Sequence, residues 1–206
     1  MSKPTVILAN GRFPTSGLPL GYLNNAEHII CCDGAVNSLV DYGLEPWAIA
    51  GDLDSVPEDL KKRYADRLYY DGDQETNDLT KAVRYCLVKG ITDIVILGAT
   101  GIREDHTVGN ISLLADYAES LSVKMVTDYG IIIPVQSGKP VSSWPGQQVS
   151  LFAIDTDTRI SSEGLKYQLD KLVLKNWWMG TLNECTSVTF TLYFDTGRIL
   201  AFLVMQ

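Results

Sequence analysis

The chain has 206 residues, enough for one large domain or two small ones with a real core. Its formal net charge of -8, from 25 acidic against 17 basic side chains, argues against nucleic acid as a partner, because phosphate backbones are bound by basic patches. The same balance suits a cationic small molecule, or metal ions that offset clustered carboxylates. No basic, apolar and small-residue leader pattern opens the chain, and no apolar run reaches about 18 residues. The expectation is a cytoplasmic protein with no secretory signal and no membrane partner. Cys31, Cys32, Cys86 and Cys185 have no CxxC spacing and read as reduced, mostly buried thiols.

Through residue 128, short apolar runs alternate with helical patterns. Strands are predicted at Thr5–Ala9, His28–Cys32, Trp47–Ala50, Arg67–Tyr70, Ile94–Leu97 and Val123–Thr127. The clearest helices are Asn77–Lys89 and Asp105–Ser120. In the first of these, Leu79, Ala82, Val83, Cys86 and Leu87 recur at helical spacing and Gly90 offers a C-cap. Such alternation implies a mainly parallel sheet covered by helices, an α/β domain over 1–128. After Tyr129 the rhythm changes. Apolar runs at Gly130–Val135, Gln148–Ile154, Leu165–Leu169, Val188–Phe194 and Ile199–Met205 are divided by turn residues, which predicts a small all-β sandwich over 129–206.

The polar signals of the first half fall just after its strands, where an open α/β sheet binds ligands. They are Asp33-Gly34, Gly51-Asp52-Leu53-Asp54-Ser55, Asp73-Gln74 with Asp78 and Lys81, and Gly98 through His106 running into Asn110. Asp52 and Asp54, two apart in an extended loop, can converge on one ion, and hard oxygen ligands suit Mg²⁺. The competing reading is a polar turn capping a helix that starts near Pro57. Asp78 and Lys81 share a helix face, either as a surface ion pair or as metal and phosphate contacts. Gly98-x-x-Gly101 lets backbone approach a phosphate, although it is neither a Walker A loop nor a GxGxxG fingerprint. Arg103 offers a planar fork, and His106 and Asn110 lie on one helix face. His28, inside a strand run, reads as structural. In the second half, Trp177 and Trp178 sit between Gly164–Leu169 and Gly180–Glu184. Aromatic rings beside a carboxylate there can hold a cationic heterocycle, and the alternative is sandwich core and turns.

The ordered set Asp33-Gly34, Gly51-Asp52-Leu53-Asp54-Ser55, Asp73-Gln74-x-Thr76-x-Asp78-x-x-Lys81 and Gly101-x-Arg103-x-Asp105-His106-x-x-x-Asn110 resembles the thiamine pyrophosphokinase family. Gly164–Leu169 and Asn183-Glu184 are similar to that family's C-terminal motifs. The resemblance implies an N-terminal Rossmann-like domain holding Mg-ATP, a C-terminal thiamine-binding β-sandwich, and a homodimer with thiamine sites between subunits. It implies diphosphate transfer from ATP to the hydroxyl of thiamine, giving AMP, with Asp52, Asp54 and Asp78 as Mg²⁺ ligands. Lys81 would join these three in catalysis. It further implies that Asp33, Gln74, Lys81, Arg103, Asp105, His106 and Asn110 line the ATP and phosphate site. Tyr167, Thr181, Leu182 and Asn183 would face thiamine, with Leu182 standing where the family often has Ser. Two rival readings of the same motifs are a metal-dependent nucleotide-sugar transferase and a non-catalytic thiamine or nucleotide module.

Overall fold

The computed structural model describes residues 3–205, which form two compact units: 3–113 with 119–128, and 114–118 with 129–205. The first unit begins with β1 (Thr5–Leu8), α1 (Gly17–Asn24), β2 (His28–Cys32), α2 (Ala35–Asp41) and β3 (Ala48–Gly51). It continues through α3 (Glu58–Arg63), a 3-10 turn, β4 (Leu68–Tyr70), α4 (Asp78–Val88), β5 (Asp93–Leu97), α5 (Glu104–Tyr117) and β6 (Ser122–Val126). The last turn of α5 groups with the second unit.

The strands of this unit run β6-β5-β1-β2-β3-β4, all parallel. β1, β2 and β5 are buried almost throughout, as their continuous apolar runs require of strands covered on both faces. The chain builds outward from β1 to β4 and then crosses back to place β5 on the other side of β1. The order therefore reverses between β1 and β5, and a crevice opens beyond their carboxyl ends. α4 begins where Asn77 caps it, its Oδ1 accepting from the Thr80 amide at 3.0 Å. It ends at Gly90, whose φ of +73° is the left-handed turn that stops a helix. α1 carries no strong apolar periodicity, and α3, expected to start near Pro57, runs from Glu58 with Pro57 at its N-cap position.

The second unit contains β7 (Gly130–Val135), β8 (Val141–Ser142), β9 (Gln148–Ala153), β10 (Arg159–Glu163) and β11 (Leu172–Val173). A 3-10 turn at Trp177–Gly180 follows, then β12 (Asn183–Glu184), β13 (Thr189–Tyr193) and β14 (Ile199–Val204). Antiparallel pairing gives one sheet β12-β9-β14-β7 and another β11-β10-β13-β8. Val149, Leu151, Ile199, Ala201 and Leu203 from the first meet Ile160, Phe190 and Leu192 from the second in one apolar core, which makes the unit a sandwich.

One predicted strand is corrected. Leu165–Leu169 is a loop, with only a single bridge between Leu165 and Cys185, and the strand is β10, just upstream. Gly164, at φ +77° and with a Cβ position 2.5 Å from Thr189 O, breaks the extended path. Leu165 and Leu169 are buried as loop anchors while Tyr167 between them is exposed, whereas a strand would turn all three to one face. Ser162 holds the return, its Oγ accepting from the Leu169 amide at 2.9 Å.

Candidate functional site

A cleft of about 470 Å³ lies at the carboxyl ends of the first unit's strands. Asp33, Asp52, Asp54, Gln74, Asp78, Lys81, Arg103, His106 and Asn110 all line it, so the loops singled out in the sequence meet there. Asp105 does not; it stands beside the cleft, exposed and paired with Arg103.

The acidic floor is built by close backbone approach. Asp33 leaves β2 at φ +43° and Leu53 sits at φ +64°, two non-glycine residues in the left-handed region at one site. A Cβ on Gly51 would lie 3.1 Å from Asp33 Cβ and 3.2 Å from Asp78 Oδ1, so only glycine lets these two carboxylates flank the strand end. One carboxylate oxygen each from Asp33, Asp52 and Asp54 lie within 4.8 Å of one another. Asp52 Oδ1 accepts from the Asp54 amide at 3.4 Å, and Ser55 Oγ donates to Asp54 Oδ1 at 2.9 Å. Asp33 Oδ2 accepts from the Ser55 amide at 3.2 Å, while its Oδ1 is buried with no hydrogen-bond partner. Burial pushes the Asp33 carboxyl up to about 6; the Ser55 amide opposes this and the Asp78 charge adds to it.

Lys81 is almost fully buried, and its Nζ lies 3.1 Å from Asp78 Oδ1 and 3.5 Å from Asp52 Oδ2. Burial disfavours its charge, but the two carboxylates outweigh that and hold the ammonium above its ordinary range. The pair that spacing alone allowed as a surface contact therefore joins an interior lysine to a part-exposed carboxylate. On Asp52, desolvation is likewise outweighed, by the Asp54 amide and the Lys81 charge, and the carboxyl sits low.

The chemistry of this donor set fits a hard divalent cation. Hard carboxylate oxygens converge, and one buried oxygen lacks any protein donor, which leaves it free to ligate. The carboxylates of Asp52 and Asp54 converge with that of Asp33, whereas Asp78, the third ligand expected from the sequence, is held by Lys81.

Several residues that shape the cleft carried no clear signal in the sequence. Arg84, on α4, spans Asp73 at 2.8 Å and Asp71 at 3.4 Å. Asp73 in turn accepts from the Glu75 amide at 3.0 Å and from Thr76 Oγ1 at 3.3 Å, fixing the loop that carries Gln74. Asn77 Nδ2 donates to Asn110 Oδ1 at 3.1 Å, and Asn110 Nδ2 to Ala99 O at 2.9 Å, tying α4, α5 and the loop after β5 together. Asn10 and Gly11, which also line the cleft, follow β1 at the crevice; an Asn-Gly after the first strand was the available signal. Arg103 holds Asp105 through Nε at 3.0 Å, and this pairing, with the His106 amide, brings the Asp105 carboxyl down to about 2.

In the second unit, Asn183 is buried and its side chain is committed to backbone. Its Oδ1 accepts from the Tyr167 amide at 3.1 Å and the Glu184 amide at 2.8 Å, and its Nδ2 donates to Tyr167 O at 2.7 Å. This presents the Tyr167 ring, 63% exposed, with Lys166 Nζ 5.9 Å from its centroid. Leu182 is exposed at φ +59°, and Thr181 Oγ1 donates to Trp178 O at 2.7 Å. Trp177 anchors through Nε1 to Ala153 O at 3.1 Å, whereas Trp178 faces outward. His28 stacks on Trp47 at 4.2 Å, a structural contact as expected, and the four cysteines are buried and unbridged.

Comparison with known proteins gives a consistent pattern. Residues 20–126 match the family described as thiamin pyrophosphokinase, catalytic domain, and residues 130–202 match thiamin pyrophosphokinase, substrate-binding domain. A thiamin pyrophosphokinase 1 of Caenorhabditis elegans is 29% identical over 180 residues, 80% of this chain and 74% of the relative. A thiamine pyrophosphokinase of Bacillus subtilis is 36% identical over 118 residues, 54% of each chain. Among solved structures, thiamin pyrophosphokinase from Candida albicans superposes with a TM-score of 0.80 at 21% identity, over 99% of this chain and 90% of that one. The Bacillus subtilis enzyme does so at 0.79 and 24%, over 98% and 99%. At these identities the superpositions speak for the fold.

Proposed function

Because the chain belongs to the thiamin pyrophosphokinase family, we propose that it transfers a diphosphate group from ATP to the hydroxyl of thiamine, forming thiamine diphosphate and AMP. The observation that carries this reading is the set of three converging carboxylates beside a buried lysine, at the strand-order reversal of a parallel sheet. Asp52 and Asp54 are the proposed centre of the Mg²⁺ site, flanked by Asp33 and Asp78. Bound there, Mg²⁺ supplies charge neutralisation for phosphate oxygens.

The thiamine hydroxyl oxygen forms a bond to the β-phosphorus, and the bond from that phosphorus to the oxygen bridging the α-phosphate breaks. AMP leaves with the bridging oxygen, and the hydroxyl proton is released. Lys81, held by Asp52 and Asp78, places a fixed positive charge against the transferring group without reorganisation. Gln74, Arg103, His106 and Asn110 surround the nucleotide, and the amides of the Gly98–Gly101 loop approach its phosphates. In the second unit, Tyr167 takes the cationic thiazolium on its exposed face, positioned by Asn183, with Thr181 and Leu182 alongside. The thiamine site is proposed to form between two copies of the chain, in a homodimer. A cytoplasmic setting suits four buried thiols unbridged among the described residues, and no helix there is long and apolar enough to cross a membrane.

The test is incubation with ATP, Mg²⁺ and thiamine. AMP and thiamine diphosphate appearing one for one support the reading. Consumption of a sugar nucleotide without AMP, or tight ligand binding without turnover, contradicts it.

A further inference from the structure

The segment leaving β1 clasps the Gly98–Gly101 loop. Ala9 N donates to Leu97 O at 2.8 Å, Gly11 N to Gly98 O at 2.7 Å and Arg12 N to Thr100 O at 2.8 Å, extending the β1–β5 pairing past the strand ends. Two glycines permit the approach. A Cβ on Gly11 would fall 2.4 Å from Gly98 O, and one on Gly101 would fall 2.9 Å from Arg12 Cβ and 3.4 Å from its Nε. The Arg12 stem thus lies against Gly101, and the chain neighbours of the two residues, Gly11 before Arg12 and Ile102 after Gly101, line the cleft.

The charges nearby are already matched. Lys81 is held by Asp78 and Asp52, and Arg103 by Asp105. Arg84 is held by Asp73 and Asp71. Among the described residues, the Arg12 guanidinium has no acidic or hydrogen-bonding partner, and the residue is exposed. A polyanion entering this carboxylate-rich cleft meets cations that are each already paired with carboxylates, and Arg12 beside it is not. A guanidinium presents a planar fork suited to phosphate oxygens and is weakly hydrated, so it is released to a ligand at low cost.

We propose that Arg12 is a further nucleotide-binding residue, whose guanidinium closes onto phosphate oxygens of ATP where they meet the Gly98–Gly101 loop. This rests on the proposed use of the cleft for ATP. Arg12→Gln keeps the stem over Gly101 and removes the charge, and Arg12→Lys keeps the charge without the fork. Steady-state kinetics are measured for both, with ATP and thiamine varied separately at several salt concentrations. One charge-assisted contact corresponds to about a tenfold rise in KM for ATP in Arg12→Gln. The KM for thiamine stays within about twofold, Arg12→Lys falls between, and the variant's KM for ATP depends less steeply on salt than the unmodified chain's. KM values for ATP within about twofold of the unmodified chain in both variants would overturn the assignment and leave the function intact. Absence of turnover by the unmodified chain would overturn the function and this assignment together.

Discussion

Asp33 gives the sharpest test of how the acidic floor is built. Its carboxyl rises from an ordinary 3.8 to about 6 because it is buried, with one oxygen unpartnered and the Asp78 charge nearby. In the unfolded chain it ionises near its ordinary value, whereas in the fold it keeps its proton about two pH units longer. Between those values the folded state binds more protons than the unfolded state, so this group's contribution is fully present below about pH 4 and is lost as pH rises through 6. The gap corresponds to about 3 kcal/mol. Asp33→Asn removes the ionisation and can keep the Ser55 amide contact through its own carbonyl oxygen. Urea unfolding of both proteins in EDTA, from pH 4 to 8, isolates the effect as a difference. Carboxylates held low by partners, such as Asp73 and Asp155, then cancel. The variant is expected to gain on the native chain through that window, reaching about 3 kcal/mol greater stability at pH 7 while losing turnover. A pH-independent difference, or a variant less stable at pH 7 than at pH 4 relative to the native chain, would refute the reasoning.

Other expectations follow from single contacts. Removing Arg84 as Arg84→Ala releases Asp71 and Asp73, so the Glu75 amide should exchange hydrogen faster and kcat/KM should fall about threefold to tenfold; unchanged exchange would separate Arg84 from that loop. Asn183→Ala strips partners from both backbone groups of Tyr167 and from the Glu184 amide, with an expected cost of about 2–3 kcal/mol in urea unfolding. A cost near zero would mean that water replaces the amide. Mg²⁺ should raise the melting temperature of the native chain, an effect reversed by EDTA and absent in Asp52→Asn; equal shifts in both would place the cation elsewhere.

The parallel sheet was readable in the sequence because its central strands are buried on both faces. Runs such as Val6-Ile7-Leu8 and Ile94–Leu97 tolerate no polar residue, so apolar length alone marks them. β10 escaped because Arg159-Ile160-Ser161-Ser162-Glu163 buries only alternate residues, and one of those is a serine used for a hydrogen bond. Leu165 and Leu169 misled for the converse reason, being core residues on a chain that is not extended. The Asp-x-Asp pair and the i, i+3 pair Asp78 and Lys81 were legible from spacing. The place of Asp33 as their neighbour depends on Gly51 and on β2 pairing with β3, which spacing does not encode. Arg84 and Arg12 were invisible for the same reason: each matters only through the loop it lies against.

The central claim is that the acidic cleft directs diphosphate transfer, and the fate of the β-phosphorus reports on it directly. ATP carrying a label at that position is incubated with thiamine, Mg²⁺ and the native chain, with Asp52→Asn and Asp54→Asn as folded controls. All label lost from ATP is expected in thiamine diphosphate, matched one for one by unlabelled AMP, with both variants losing most of the transfer. Label retained in ADP, or transfer at native rates by either variant, would contradict the account.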